Sequence, residues 1–367
     1  MSPNYSSPAT LIFPALNHAA QDYFNLARLR GERVVAAASE YEDAIASVFG
    51  ELILLPYVYD AAFAQQFLEL IGSRSIHQVY APVASVYTFL ETFIDDQKLP
   101  IRLIGASPIR QQVEAYRNLR GKAEDAQAFV EQCAGTPSST LSLFDIAAIM
   151  RQASNIYGES NDQKIAAMMA IFASAPKGDV VEIGSLMGRS AFVLQYLARH
   201  YDVGPVLSVD PLSAETAVQA DSPEVVRSSM VNQWDYDVLR EAFVVNLLPT
   251  AAGRFNYLRM ESEHGFEVYR ARRTIATPHF GEVAYRGNIA VIHIDGNHDF
   301  RQVKKDCELW LTLLVPGAWL ILDDYLWSHG DGPYRVGNTL LDERKDDIDR
   351  SFVCGKALFV KFKRADQ

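Results

Sequence analysis

Cysteine is scarce in this chain, and its absences narrow the field before any motif is read. Three cysteines in 367 residues, Cys133, Cys307 and Cys354, lie too far apart for a disulfide framework or a zinc pattern. No run of about twenty apolar residues occurs, which argues against a membrane-spanning helix and a membrane partner. Net charge is −11 and no long basic run exists, which argues against nucleic acid as a partner. The first residues, MSPNYSSPATLIFPALNHAAQ, lack the basic segment and apolar core of a secretion signal, so a cytoplasmic location is expected. Neither G-x-G-x-x-G after a strand nor G-x-x-x-x-G-K-[ST] is found, so the phosphate fingerprints of dinucleotide and nucleotide sites are missing.

What is present reads as a globular protein of two α/β domains. The chain is 49% hydrophobic and 22% charged, and its length exceeds one ordinary core. In the first half, apolar stretches at 11–15, 33–39, 51–56, 77–82 and 101–107 alternate with amphipathic helical patterns, which predicts a small parallel sheet covered by helices. Residues 108–150 read as helical, with a break at Gly135-Thr136-Pro137-Ser138-Ser139. The expected domains are therefore 1–140, an auxiliary α/β domain with a helical linker, and 141–367. Tyrosines such as Tyr87 and Tyr116 at exposed-looking helix positions suggest that the first domain serves assembly, giving a homo-oligomer.

The second half opens with a helix over about 160–174 and the strand DVVEIGS. Glu182-Ile-Gly184-Ser185-Leu-Met-Gly188 then forms a glycine-rich turn before the helix SAFVLQYLARH. Gly184 permits a tight turn and close backbone approach, Gly188 lets the helix pack against it, and the helix N-terminus offers free N–H groups to an anion. The next strand, PVLSVD, ends at Asp210, a carboxylate suited to a ribose diol. Glycine turn followed by acid is an adenosine-site pattern that serves NAD as well. The spacing E-x-G-x-x-x-G lacks the third glycine that accompanies a pyrophosphate, so S-adenosylmethionine (SAM), which has no phosphates, fits better.

The most informative stretch is Ile289–Tyr325, IAVIHIDGNHDFRQVKKDCELWLTLLVPGAWLILDDY. Two apolar strands end in acid, the first at Asp295 and the second at Asp323 and Asp324, with one amphipathic helix between them. Such a unit makes parallel neighbours whose ends share the ligand-binding edge of the sheet. Three converging carboxylates suit a hard divalent cation such as Mg²⁺. His298, three residues after Asp295, is a candidate general base. The plainer reading makes each acid a helix cap or turn former and His298 a surface residue.

On these motifs, residues from about 157 to 362 resemble a class I SAM-dependent methyltransferase with a Rossmann-like sheet. The resemblance is to the divalent-metal-dependent O-methyltransferases of the macrocin O-methyltransferase and cephalosporin hydroxylase group. It implies Asp295, Asp323 and Asp324 as metal ligands, and Glu182, Gly184, Ser185 and Gly188 around the methionine end of SAM. It further implies Asp210 on the ribose, with Asp295 close to the cofactor as well, Ser262 near the adenine and His298 as the base. Some relatives use an acid two residues after the first metal ligand; here that position is Asn297, which favours His298. The implied acceptor is a small hydroxylated molecule, a sugar of a glycosylated natural product or a saccharide. FVCGKALFVKF matches the hairpin that closes the family's sheet, whereas 265–288 reads as a surface excursion or a lid. A NAD-linked oxidoreductase and a non-catalytic SAM-binding protein of the same fold remain the alternatives.

Overall fold

The computed structural model describes residues 8–134, 141–217, 219, 224 and 233–364. It divides into two compact units, Met1–Asn118 and Leu119–Gln367. The join falls inside a 27-residue helix, Pro108–Ala134, rather than at 140. The reason is burial: Ala123, Ala126 and Val130 of that helix sit in the core of the second unit. The glycine-proline break at 135–139 lies outside the described residues.

The first unit is the parallel sheet expected. Strands β1 (Ala9–Ile12), β2 (Val34–Ala38), β3 (Leu52–Leu54), β4 (Ile76–Tyr80) and β5 (Arg102–Ile104) are ordered β3-β2-β1-β4-β5 and pair in parallel. Helices cover both faces, so central β1 is buried throughout, as βαβ crossovers require. Phe13, Phe63, Phe67 and Leu90 fill one face, and Ile12, Phe24 and Phe49 the other. Tyr87 belongs to this core, which removes it as an exposed assembly residue, while Tyr116 is exposed.

In the second unit, β6 (Asp179–Ile183), β7 (Val206–Val209), β8 (Phe255–Leu258), β11 (Ile289–Ile294) and β12 (Leu314–Leu322) pair in parallel. Strands β13 (Ile348–Cys354) and β14 (Ala357–Phe362) form the closing antiparallel hairpin. The order β13-β14-β12-β11-β6-β7-β8 reverses direction at the β6–β11 boundary. At such a switch point the following loops part and leave a crevice beyond the strand ends. This is the class I methyltransferase strand order that the resemblance implies. Segment 265–288 completes a helix and forms a two-stranded hairpin, β9 (Thr274–Thr277) with β10 (Gly281–Ala284). Asn256 on β8 anchors it by donating to the carbonyls of Ile275 and Gly281, both at 2.9 Å.

Candidate active site

Backbone contacts lock the ends of three adjacent strands together. Asp295 N–H donates to the Ile183 carbonyl at 2.8 Å, and Asp323 N–H to the Ile294 carbonyl at 2.9 Å. Gly184 makes the first of these contacts possible. Its φ is +81°, and a Cβ there would lie 2.1 Å from the Asp295 carbonyl oxygen. The glycine turn and the acidic loop are thus seated on each other, and only a residue without a side chain fits between them.

Asp210, at the end of β7, accepts hydrogen bonds from the backbone N–H groups of Ser185 (2.6 Å), Leu186 (3.1 Å) and Leu212 (2.7 Å). It therefore shapes the glycine turn before any ligand binds. Burial nonetheless pushes its pKa up, so desolvation outweighs the three donors. Beyond β8, the Ser262 hydroxyl accepts from Trp310 Nε1 at 2.8 Å, and Gln302 donates to Asp306 at 3.0 Å. Burial pushes the Asp306 carboxyl up to about 6. A cavity of about 470 Å³ joins these groups to the acidic loop; Gly184, Ser185, Asp210, Ser262, Asp295, His298 and Asp324 all line it.

The three predicted metal ligands face different neighbours. Asp324 adopts φ +48°, which turns its carboxylate away from that of its neighbour. It faces the cavity and lies 3.1 Å from His298 Nε2. The other ring nitrogen, Nδ1, is 3.2 Å from Gln219 Nε2. An amide NH₂ only donates, so Nδ1 accepts, and the proton of the neutral ring sits on Nε2 facing Asp324. Burial pushes the His298 pKa down despite the carboxylate. Trp327 meets the imidazole edge-on, with 4.7 Å between ring centres.

Asp323 instead turns inward, where sequence reading missed its partner. Lys164, on the helix Asp162–Phe172, is 1% exposed. Its ammonium contacts Asp323 Oδ2 directly and lies 3.2 Å from Asp295 Oδ2. Burial works against this charge, but Asp295 and Asp323 outweigh it and hold Lys164 above its ordinary value. Of the two carboxylates, Asp323 is the one kept ionised: burial opposes its charge, but the Lys164 ammonium and the nearby His293 hold it well below the usual range. Asp295 is pushed well up by burial and by the Asp323 charge. Behind them, fully buried His293 places Nδ1 3.1 Å from Glu182 Oε1 and Nε2 3.5 Å from Asp295 Oδ2. Lys164 is the one charge in a run of nine buried residues ending at Phe172, and that oddity was the available signal.

Two further expectations change. Glu182 does not line the cavity; it accepts from Ser208 at 3.0 Å and faces His293. The register explains this, because Glu182 pairs with Ser208 on one side and His293 on the other, and in-register parallel neighbours share a face. Gly188 (φ +88°) starts the helix Arg189–His200 and packs against Leu247 instead of lining the cavity.

A divalent cation fits the donors that do face the cavity. Oxygens of Asp295 and Asp324 and a nitrogen of His298 lie within 4.8 Å of one another. Mg²⁺ is commonly held by one or two carboxylates, its other positions left to water and substrate.

With this geometry in place, the class can be stated. Residues 181–325, within the second unit, match the methyltransferase domain family, and the sheet around them has the class I order. Among solved structures the chain is similar to the O-methyltransferase NovP, with 16% identity, 66% of this chain and 100% of that one covered, and a TM-score of 0.40. It is also similar to CalS11, a calicheamicin methyltransferase, at 14% identity, 65% and 91% coverage and a TM-score of 0.39. A third likeness is to MycE, a mycinamycin-pathway methyltransferase solved with Mg, SAH and mycinamycin VI. There the identity is 14%, the coverage 52% of this chain and 46% of that one, and the TM-score 0.31. No curated protein matches the sequence.

Proposed function

We propose that the protein transfers a methyl group from SAM to a hydroxyl oxygen of a small acceptor, a sugar of a glycosylated natural product or a saccharide. One observation carries this reading: the turn held by Asp210 and the His298–Asp324 pair open into the same cavity. Asp210 has lone pairs left for the ribose hydroxyls, Ser262 stands at the adenine end, and Gly184 and Ser185 flank the methionine part. A divalent cation at Asp295 and Asp324 supplies the Lewis acidity that eases ionisation of a coordinated hydroxyl.

The chain's own residues perform the proton step. His298 is neutral and half-buried, and its unprotonated nitrogen is Nδ1. The acceptor hydroxyl takes the place of Gln219 there and gives its proton to Nδ1. The resulting imidazolium keeps its Nε2–H on the Asp324 carboxylate, which offsets the new charge. The oxygen attacks the methyl carbon as the carbon–sulfur bond breaks, with its electron pair leaving on sulfur. Alignment of oxygen, carbon and sulfur by the cavity walls contributes much of the remaining rate. Trp327, beside His298, provides an aromatic wall for a sugar face. The first unit, which lacks a phosphate-binding turn, is assigned to assembly and substrate shaping.

The test is a mass-spectrometric assay of glycosides incubated with SAM and Mg²⁺ or with EDTA. Methylated product should require the cation, and His298→Ala should cut turnover by about 10²-fold while SAM binding persists. Wild-type turnover by that variant, or a methyl group found only on nitrogen or carbon, would refute the scheme.

A further inference from the structure

We propose that Lys164 is a built-in cation that withholds Asp323 from the coordination set, so that a divalent ion at the cavity floor is held by Asp295 and Asp324. The inference rests on reading that floor as a cation site, and it concerns how this chain sets the site's charge and affinity.

The geometry is specific. The Lys164 ammonium reaches the acidic loops from a helix more than a hundred residues earlier in sequence, and it contacts one oxygen of Asp323 and one of Asp295. A buried ammonium has no cheap alternative position, since the other residues of its helix from Ile165 to Phe172 are apolar and buried. Asp323 is 6% exposed and Lys164 1% exposed, and neither lines the cavity. Its neighbour Asp324 is turned the opposite way by a left-handed backbone, toward His298 and the cavity. His293 closes the inner side, with Nε2 3.8 Å from Asp323 Oδ2. Two adjacent acids at one strand end are therefore divided: Asp323 neutralises an internal lysine, and Asp324 serves the ligand. The ammonium occupies the place between Asp295 and Asp323 where an ion bridging those two carboxylates would sit. Both cannot be there together, because like charges at that separation repel.

Removing the ammonium adds one negative charge beside the site and frees oxygens on both carboxylates. Affinity for a divalent cation should then rise. Mn²⁺ titrations followed by electron paramagnetic resonance, without SAM or acceptor, test this on the full chain. Lys164→Met should bind Mn²⁺ at least about tenfold more tightly than wild type, and Lys164→Arg should stay near wild type. The charge-conserving double variant Lys164→Met/Asp323→Asn should leave Mn²⁺ affinity within about threefold of wild type, whereas Asp324→Asn should weaken it by about tenfold or more. That second pair decides the matter if Lys164→Met does not fold. Equal losses from Lys164→Met/Asp323→Asn and Asp324→Asn, or a folded Lys164→Met with unchanged or weaker binding, would overturn the proposal. Binding by Lys164→Met but not by wild type would overturn it, because Asp295 and Asp324 would then hold no ion while Lys164 is present. Absence of binding in both would overturn it whatever the methyl-transfer assay shows.

Discussion

Asp210→Ala is the most revealing single change, because this carboxylate organises its loop before it meets a ligand. It receives three backbone N–H groups at 2.6, 3.1 and 2.7 Å, two of them from the glycine turn after β6. A hydrogen bond to a charged acceptor contributes about 1.5–3 kcal/mol. The carboxylate's own burial, which pushes its pKa up, cancels part of that sum in the free protein. The expected loss of folding stability is therefore about 1–3 kcal/mol, near the value for one such bond instead of three. SAM affinity should fall by a further, separate amount, since the ribose hydroxyls lose their acceptor and the turn must be ordered on binding. Loss of the ribose contact alone corresponds to about 1.5–3 kcal/mol, or roughly ten- to 150-fold in Kd. Urea unfolding measures the first quantity and calorimetric titration with SAM the second. A folded variant that binds SAM within about twofold of wild type would remove Asp210 from the cofactor site. A stability loss without an affinity loss would leave it only as the anchor of the turn.

Gly184→Ala should separate the glycine turn from the acidic loop, because its Cβ would lie 2.1 Å from the Asp295 carbonyl oxygen at φ +81°. A stability loss of about 2–4 kcal/mol in urea unfolding and weakened SAM binding are expected, and wild-type behaviour would contradict the close approach. Asp306→Asn tests the buried carboxyl raised to about 6 by desolvation. A raised folded-state pKa gives stability that is present at low pH and lost as pH rises through about 6. The asparagine variant should thus be more stable than wild type near pH 8, by up to about 2 kcal/mol, with the advantage vanishing below about pH 4. A pH-independent difference in urea unfolding would refute that account.

Much of the fold was legible because the signals are local. Alternation of apolar strands with amphipathic helices, Gly184 after β6, Asp210 after β7 and the acids after β11 and β12 all placed polar and glycine groups at one sheet edge. Strand ends and turns are written in neighbouring residues, and parallel βαβ connection then fixes which ends meet. The hairpin β13–β14 was readable for the same reason.

The division of labour among the acids was not local. Strands buried on both faces read as continuous apolar runs, so the sequence did not say that Glu182 and His293 share an inner face. Adjacent Asp323 and Asp324 look alike until a left-handed backbone at Asp324 sends them to opposite sides. Lys164 came from a helix that no motif linked to the site, and the domain join moved into a helix whose second half found its core in the second unit. The sequence by itself determined which chemical groups stand at the edge of the sheet, since that follows from short-range pattern. The tertiary structure decided which of them face the cavity and which are held by the interior, because charge is balanced between residues brought together only by folding.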